Sequence, residues 1–338
     1  GEAAVRALPG GRGAASADEI LARARAIARR LDDPETEAFV SGAAGIIAAV
    51  SGRWNEGIEL CRRSDEIYRT RCTGARWNID TVQYFMFSLL TIRGDLREAS
   101  RRLPKLLKEA DELGDLYAST SLRTWAYPVW MAADEIELGR REVRDAIATW
   151  PTSGYHVQHF GAVLSETMFD LYLGDGPSAW RRVREAWPDF VRSRLLHQQL
   201  LRLTASALRA TAAIAAAMHD DTPASERPTL LREASRLARR LDRERKGWAA
   251  PLATLTRASV AQLEGHPARA LSLLASAEAS FEAANMGLYA ACTRRVRGQQ
   301  LRGDEGDALV SSTEAYMQRE NVVSPERMVA SIAPAFVS

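Results

Sequence analysis

The dipeptide Gly-Asp separates amphipathic runs at helix-length intervals along this chain. It occurs at Gly94-Asp95, Gly114-Asp115, Gly174-Asp175 and Gly303-Asp304. Glycine readily adopts the left-handed conformation that ends a helix, and aspartate accepts a hydrogen bond from the free N–H groups that open the next helix. The chain is therefore expected to turn from helix to helix with almost no loop, as stacked helical hairpins do.

The spacing of apolar residues is helical nearly throughout. One apolar stripe is made of Leu96, Ala99, Leu103, Leu106, Leu107, Ala110 and Leu113. Spacings of mostly three and four place such residues on one face of a helix. No alternating run is long enough for a strand. We predict an all-α fold of about sixteen helices, a superhelical stack of antiparallel hairpins.

A repeat becomes visible when the helices are paired. A small residue lies five positions after a hairpin glycine four times, as in Gly94 to Ala99, and the others are Gly52 to Gly57, Gly174 to Ala179 and Gly265 to Ala270. A small residue lets the second helix cross close to the first. Ala99, Ala179 and Ala270 are therefore predicted to be buried at close helix crossings. The implied period, in the low forties, exceeds the tetratricopeptide unit of about 34 residues.

Three parts of the chain are predicted: residues 1–16 as a linker or the remnant of a preceding helix, residues 17–333 as one tetratricopeptide-like α-solenoid, and residues 334–338 as a tail. Because the sequence begins without methionine, we expect it to be a piece of a longer protein. Pro104 lies inside a strong helical stripe and is predicted to kink or split its helix, and Pro128 is predicted to bend another.

Composition argues against several classes of partner. The formal net charge is +2 over 338 residues, so no field of one sign favours nucleic acid or a membrane surface. The longest apolar stretches fall short of the roughly 20 residues that a membrane span needs. Cys61, Cys72 and Cys292 are odd in number and form no CxxC pair, which favours a reducing cytoplasm. No P-loop, nucleophile elbow or kinase catalytic loop is present, so we expect neither enzymatic activity nor a cofactor.

The stretches at residues 49–58, 92–99 and 263–271 resemble the central turn of tetratricopeptide-like repeats. The chain also resembles the C-terminal helical region of large bacterial signalling proteins, in which a serine/threonine kinase domain and a STAND-type ATPase module precede a helical tail. That second resemblance is carried by residues 171–176, 185–188, 241–245, 248–252 and 281–291. Kinase and ATPase signatures are absent here, so the resemblance implies the architecture and the signalling context alone.

Aromatic and histidine residues concentrate in the middle of the predicted array. We predict a binding surface there, made of Trp125, Tyr127, Trp130, Tyr155, His156 and His159. Tyrosine and tryptophan combine apolar area with a polar tip, which suits recognition. Packing between helices is the alternative interpretation, and the more isolated Trp54, Trp187 and Trp248 are interpreted as core.

Three functional hypotheses remain open. The leading one is a non-catalytic protein-binding or sensing scaffold that presents a concave groove to a peptide, a partner domain or upstream domains of its own parent protein. The second is the inducer-binding tail of a transcriptional regulator. The third is a helical metalloenzyme in which His156, His159 and Glu166 converge on a metal, because His156 and His159 at i and i+3 share a helix face.

Overall fold

The computed structural model describes residues 2–10, 12–244, 246–301 and 303–336. Within these ranges the chain forms eighteen α-helices and no strand, which confirms the predicted all-α class. The helices are α1 (Glu2–Ala7), α2 (Arg12–Leu31), α3 (Pro34–Ser51), α4 (Trp54–Arg71), α5 (Arg76–Arg93), α6 (Leu96–Glu112), α7 (Leu116–Trp125), α8 (Tyr127–Ala132), α9 (Ile136–Ala148), α10 (Val157–Tyr172), α11 (Gly176–Arg192), α12 (Gln199–Met218), α13 (Arg227–Arg243), α14 (Ala250–Leu263), α15 (Pro267–Ala283), α16 (Gly287–Leu301), α17 (Gly303–Arg319) and α18 (Pro325–Ile332). Two 3-10 turns, Leu195–His197 and Pro334–Phe336, complete the described elements.

Helices that follow one another in the chain pack against each other, as a stack of hairpins requires. The predicted close crossings are present, since Ala99, Ala179 and Ala270 are at most 1% exposed. Gly57 takes the same place in an earlier hairpin, where an added Cβ would be 3.3 Å from the carbonyl oxygen of Gly45 on the paired helix α3. Small residues at these positions therefore let the paired helices approach.

The Gly-Asp dipeptides act as predicted at the glycine and only partly at the aspartate. All four glycines have a positive φ. Asp115 and Asp175 each cap the next helix by accepting a hydrogen bond of 2.9 Å from the backbone N–H three residues later. Asp95 instead pairs with Arg93 at 2.7 Å, and Asp304 lies inside the first turn of α17.

The two internal prolines have different effects. Helix α6 continues through Pro104 without a break, so the predicted split is wrong. Its apolar face is buried on both sides of the proline, at Leu103 and Ala110, and this packing holds the helix together. At Pro128 the chain does leave the helix: α7 ends one residue before Ala126, and Pro128 lies in the first turn of α8.

Both predicted ends of the solenoid shift. Residues 12–16, expected in a linker, belong to α2, and α1 packs on α2 and α3 as the predicted remnant of a helix would. Residues 334–336, expected in a tail, form a turn in which Ala335 and Phe336 are buried. Apolar side chains at these positions gain from burial in the core, which a sequence-based boundary did not anticipate.

The stack closes on itself, because helices at its start contact helices near its end. The hydroxyl of Tyr316 donates to the carbonyl oxygen of Gly94 at 2.7 Å. Trp54 meets Trp248 with ring centroids 5.7 Å apart. The backbone N–H of Gln199 donates to the carbonyl oxygen of residue 8 at 2.7 Å. We call these contacts the seam. They bring early segments of the chain against segments from its second half, so the stack closes into a ring with the expected groove on its inside.

The C-terminal segment, residues 325–336, lies against the inner helices. Helix α18 packs on α10 and α16, and the turn that follows it packs on α12 and α14. Met328 and Val329 are 1% exposed. At the surface Arg327 pairs with Asp134 at 3.0 Å. The concave face is therefore covered partly by the chain itself.

Helix α12 is the one described helix that is long and apolar enough to cross a membrane by length and composition. Sequence inspection alone had placed the apolar stretches below that length. The helix packs between α11, α13 and α14, and 61% of its most apolar window is buried. Its position in the core of the stack accounts for its hydropathy.

Candidate functional site

A cavity of about 390 Å³ lies in the centre of the closed stack. Its wall is built from the inner helices, among them α5, α10, α12, α14 and α16, and from α18. The lining residues on α12 are Leu200, Leu201, Thr204, Ala207, Leu208, Thr211 and Ile214. Recurring spacings of three and four place them on one helix face. The same periodicity that builds the stack therefore presents a stripe of uncharged side chains to the cavity.

The described residues of the cavity wall include no Asp, Glu, Lys, Arg or His. Burial raises the pKa of Tyr289 to about 12 and also raises the pKa values of Tyr84 and Tyr127. These phenols are therefore neutral at physiological pH. The aromatic residues of the wall are Trp54, Tyr84, Phe85, Tyr117, Trp125, Tyr127, Trp248 and Tyr289. The cavity can hold an apolar molecule by contact and can offer it neutral hydrogen-bonding groups.

One aromatic pair links the cavity wall to the surface. Tyr117 lines the cavity, and its ring centroid is 5.3 Å from that of Trp77. Trp77 is 60% exposed, which is unusual for so large an apolar side chain. Trp77 and Tyr117 together therefore form a continuous aromatic surface from the solvent to the cavity wall.

Two of the six residues predicted to bind a partner lie on the cavity wall. Trp125 is the last residue of α7 and Tyr127 is the first of α8. The break between the two helices at Ala126 places both side chains on the inner side of the closed stack. The predicted bend at Pro128 thus does contribute to an internal surface.

Trp130 lies away from the cavity in a packed layer. It is 4% exposed, and its ring centroid is 6.3 Å from that of Phe169. A Cβ added to Gly139 would come within 3.1 Å of the tryptophan. This close fit is typical of helix packing.

Tyr155, His156 and His159 organise the start of α10. The backbone N–H of His156 donates to Nδ1 of His159 at 3.0 Å, which closes a capping box. The indole of Trp150 donates to Nδ1 of His156 at 3.1 Å. Tyr155 stacks on His159 with centroids 5.1 Å apart. Burial and the neighbouring His156 lower the pKa of His159, so its ring stays neutral and keeps its acceptor role near pH 7.

The metal hypothesis finds no support in this arrangement. Glu166 forms an ion pair with Arg140 and faces Arg182 at 3.7 Å, so its carboxylate is committed to arginine. Among the described residues no group of three His, Cys, Asp or Glu side chains is placed to hold a metal ion. Nδ1 of both His156 and His159 already accepts a hydrogen bond.

The contribution of the seam to the site is not visible in the local sequence pattern. Trp54 and Trp248 were interpreted as isolated core residues, yet both line the cavity and contact each other. They belong to hairpins far apart in the sequence, so no local pattern pairs them. Only the closure of the stack brings them onto one wall.

Neither the scan against protein-family models nor the search of curated proteins finds a match for this chain.

Proposed function

We propose that this chain is a sensing module that binds one uncharged, largely apolar small molecule in its central cavity. The observation that carries the proposal is the chemistry of the cavity wall, which is apolar, rich in aromatic rings and free of ionised side chains among the described residues. Pockets for small molecules commonly measure about 300–1,000 Å³ and combine an apolar lining with a few polar groups. A charged ligand would lose its hydration there without gaining a partner of opposite charge.

This proposal is close to the inducer-binding hypothesis of the sequence analysis. Ligand bound inside the ring contacts helices from both ends of the chain, so binding favours the closed arrangement over any state in which the seam opens. A ligand that binds only the closed state stabilises it by about 2.7 kcal/mol at a concentration one hundred times its dissociation constant. Occupancy of the cavity is thereby converted into the rigidity of the whole stack, which is a signal that a neighbouring domain can detect.

The biological setting follows from the resemblance to helical regions of bacterial signalling proteins, and we propose it on that basis. In such a setting the partner of the ring is another protein or another domain of the same parent protein. A reducing, cytoplasmic location agrees with the three unpaired cysteines. Burial raises the pKa of Cys61 to about 12, so this thiol is unreactive.

A direct test uses the uncharged fluorescent naphthalene ketone prodan. We expect one molecule to bind per chain, with a blue-shifted emission and a raised unfolding temperature. Ala207→Phe places a large side chain on the cavity face of α12 and should abolish binding. Ala268→Phe, at an exposed position of α15, is the matched control and should bind as the unmodified chain does.

Circular dichroism establishes that both variants are folded before binding is compared. Equal binding by the two variants would place the site outside the cavity and would refute the proposal. Failure of the unmodified chain to bind prodan or other neutral aromatic probes of similar size would refute it as well.

A further inference from the structure

Several hydroxyl groups of the cavity wall are used within the helices that carry them. Ser88 donates to the carbonyl oxygen four residues earlier at 3.0 Å, and Thr256 and Ser259 do the same at 2.8 and 3.0 Å. Thr91 and Ser331 donate to the carbonyl oxygen three residues earlier at 2.8 and 2.7 Å. The hydrogen of each group already has an acceptor, so none of them can donate to a ligand without breaking a bond inside the protein.

The indole nitrogens of the wall are enclosed by packing. Nε1 of Trp54, Trp125 and Trp248 is buried and has no acceptor among the described residues. A Cβ added to Gly52 would be 3.0 Å from Nε1 of Trp248, and one added to Gly161 would be 2.7 Å from Nε1 of Trp125. These nitrogens therefore face the surrounding protein and are not available to a molecule in the cavity.

Two threonines on α12 have hydroxyl groups that are free to bind a ligand. Thr204 and Thr211 line the cavity and are only partly buried, although most of their helix is buried. Neither makes a side-chain hydrogen bond among the described residues, whereas Ser206 on the same helix donates to a carbonyl oxygen at 2.7 Å. Unlike the indole nitrogens, neither hydroxyl oxygen is sealed off by packing. Thr211 follows Thr204 by about two turns, so both lie on one helix face, about 10 Å apart along the axis.

Two tyrosines on other helices form a second group of free hydroxyls. Tyr127 on α8 and Tyr289 on α16 line the cavity, and neither hydroxyl has a hydrogen-bond partner among the described residues or is sealed off by packing. Burial raises the pKa of both phenols, and the nearby phenol of Tyr289 adds to the rise at Tyr127. Both side chains nevertheless keep accessible surface. That surface therefore faces enclosed space and not bulk solvent.

The remaining unpaired polar groups of the wall have other surroundings. The phenol of Tyr84 lies beside the hydroxyl of Ser88, which partly offsets the rise in pKa that burial causes. Tyr117 packs on the exposed ring of Trp77. The amide of Gln198 precedes α12 and lies off the face that carries the two threonines. The two threonines and the pair Tyr127 and Tyr289 are thus the free hydroxyls that face the enclosed space.

The threonines and the tyrosine pair lie on different parts of the wall. Helix α12 packs on α11 and α13, whereas α8 packs on α9 and α10, and α16 packs on α15 and α17. The C-terminal segment joins the two regions, because α18 packs on α16 and the turn after it packs on α12. Its side chains on the wall include the apolar Met328 and Ile332. A ligand that reaches both groups of hydroxyls therefore crosses an apolar stretch of the cavity.

We propose that the ligand is an uncharged, lipophilic molecule with a neutral oxygen at each end, one bound by Thr204 and Thr211 and the other by Tyr127 and Tyr289. This inference rests on the proposed function and narrows its class of ligand. Hydroxyl groups both donate and accept, so the ligand oxygens can belong to hydroxyl, ketone or ether groups. A carboxylate is a poor fit, because the described wall offers no cationic side chain to balance its charge.

The test uses three uncharged probes of one shape: stilbene, para-hydroxystilbene and para,para′-dihydroxystilbene, which differ only in their terminal hydroxyl groups. The proteins are the unmodified chain, a double variant with Thr204→Val and Thr211→Val, a double variant with Tyr127→Phe and Tyr289→Phe, and Thr256→Val. Thr256 lines the same cavity, but its hydroxyl is already bonded within α14, so Thr256→Val is the matched control. Circular dichroism establishes that all the variants are folded, and displacement of prodan measures each dissociation constant.

We expect each probe hydroxyl to tighten binding to the unmodified chain about threefold to tenfold, as one hydrogen bond between neutral groups predicts. Each double variant should lose the gain from one hydroxyl of the dihydroxy probe, and Thr256→Val should keep both gains. Stilbene should bind all four proteins alike. A dihydroxy probe that binds the unmodified chain no more tightly than stilbene would overturn the proposal, because a hydroxyl without a partner loses its hydration and gains nothing.

A loss of the gain in only one double variant would overturn the assignment of one oxygen to each group, and an equal loss in Thr256→Val would overturn the choice of residues. The proposed function fails separately: it fails if neither prodan nor stilbene binds the unmodified chain. If stilbene binds and its hydroxyl derivatives gain nothing, the cavity remains a ligand site and only the polar contacts are wrong.

Discussion

Closure of the ring creates the cavity, so the most informative perturbation is one that strains the seam alone. Gly94 ends α5 with a φ of 87°, and its turn lies against the start of α16. An added Cβ would be 2.6 Å from the backbone nitrogen of Leu288 and in still closer contact with the hydroxyl of Tyr316. Gly174 lies in the turn between α10 and α11 with a φ of 81°, but an added Cβ there meets nothing within 4 Å. The two glycines thus share a backbone conformation and differ in their surroundings.

The magnitudes follow from this comparison. Alanine in the left-handed region costs about 1–2 kcal/mol at either position. At Gly94 the methyl group also meets backbone atoms that cannot rotate aside, and overpacking of that kind adds roughly 1–3 kcal/mol. We therefore expect Gly94→Ala to lower the free energy of unfolding by about 2–5 kcal/mol and Gly174→Ala by about 1–2 kcal/mol. The gain from a less flexible unfolded chain is common to both variants and cancels in the difference.

Urea unfolding followed by circular dichroism measures the two costs, and hydrogen exchange locates them. In Gly94→Ala the amides of α5 and α16 should exchange faster, and prodan should bind more weakly because the cavity wall opens. In Gly174→Ala exchange at these helices should be unchanged. If both alanine variants lost the same stability and kept the same protection at α16, the turn after α5 would not be in contact with α16 in solution, and the argument for an enclosed cavity would fail.

Four further predictions test the packing and the charges. Met328→Ala should lower the free energy of unfolding by about 2–3 kcal/mol and Met317→Ala by about 3–5 kcal/mol. Both side chains are fully buried, but only Met328 borders the cavity, where some of its contacts are already missing. Equal losses in urea unfolding would contradict this. Ala270→Leu should cost roughly 1–3 kcal/mol by forcing two helices apart, and an unchanged thermal midpoint would mean that the repeat is misplaced. Asp170 pairs with both Arg140 and Arg182. Asp170→Ala should therefore lower the free energy of unfolding in urea by about 3 kcal/mol, because the two arginines keep only one carboxylate between them. A loss below the error of the measurement would count against these ion pairs. Hydrogen bonding to the neighbouring Arg236 lowers the pKa of Glu233 from its ordinary value of 4.5. The ion pair therefore stabilises the fold above pH 4.5, and this stabilisation is lost as the pH falls through the lowered pKa. Glu233→Gln should make the loss of stability below pH 4.5 less steep.

The fold could be predicted from the sequence because its determinants are local. Apolar spacing, glycine at the hairpin turns and small residues at the crossings each act within one or two helices, and Gly94 and Ala99 were both placed correctly. Pro104 shows the limit of local reasoning. A proline disfavours the interior of a helix, but tertiary packing of the flanking apolar residues overcame that preference.

The candidate site was harder to predict because it depends on contacts between distant parts of the chain. Trp125 and Tyr127 could be singled out, since an aromatic cluster beside a proline is visible in the sequence. Trp54 and Trp248 could not, because their proximity depends on how far the stack curves before it closes. His156 and His159 had the spacing of a shared helix face, but His156 is the residue before α10, where the pair closes a cap.

The charges of the inner helices give an independent reason to regard the cavity as enclosed. Arg202 and Arg209 of α12 turn away from the wall and pair with Glu244 and Glu233 at 2.7 and 2.9 Å. The single charged residue of α14, Arg257, pairs with an aspartate of α13. An open groove in water tolerates unpaired charge, because solvent screens it. An enclosed apolar cavity does not, and each arginine on these two inner helices is directed to a carboxylate outside the wall. This arrangement leaves the interior uncharged, and it favours a neutral molecule over an extended peptide as the occupant.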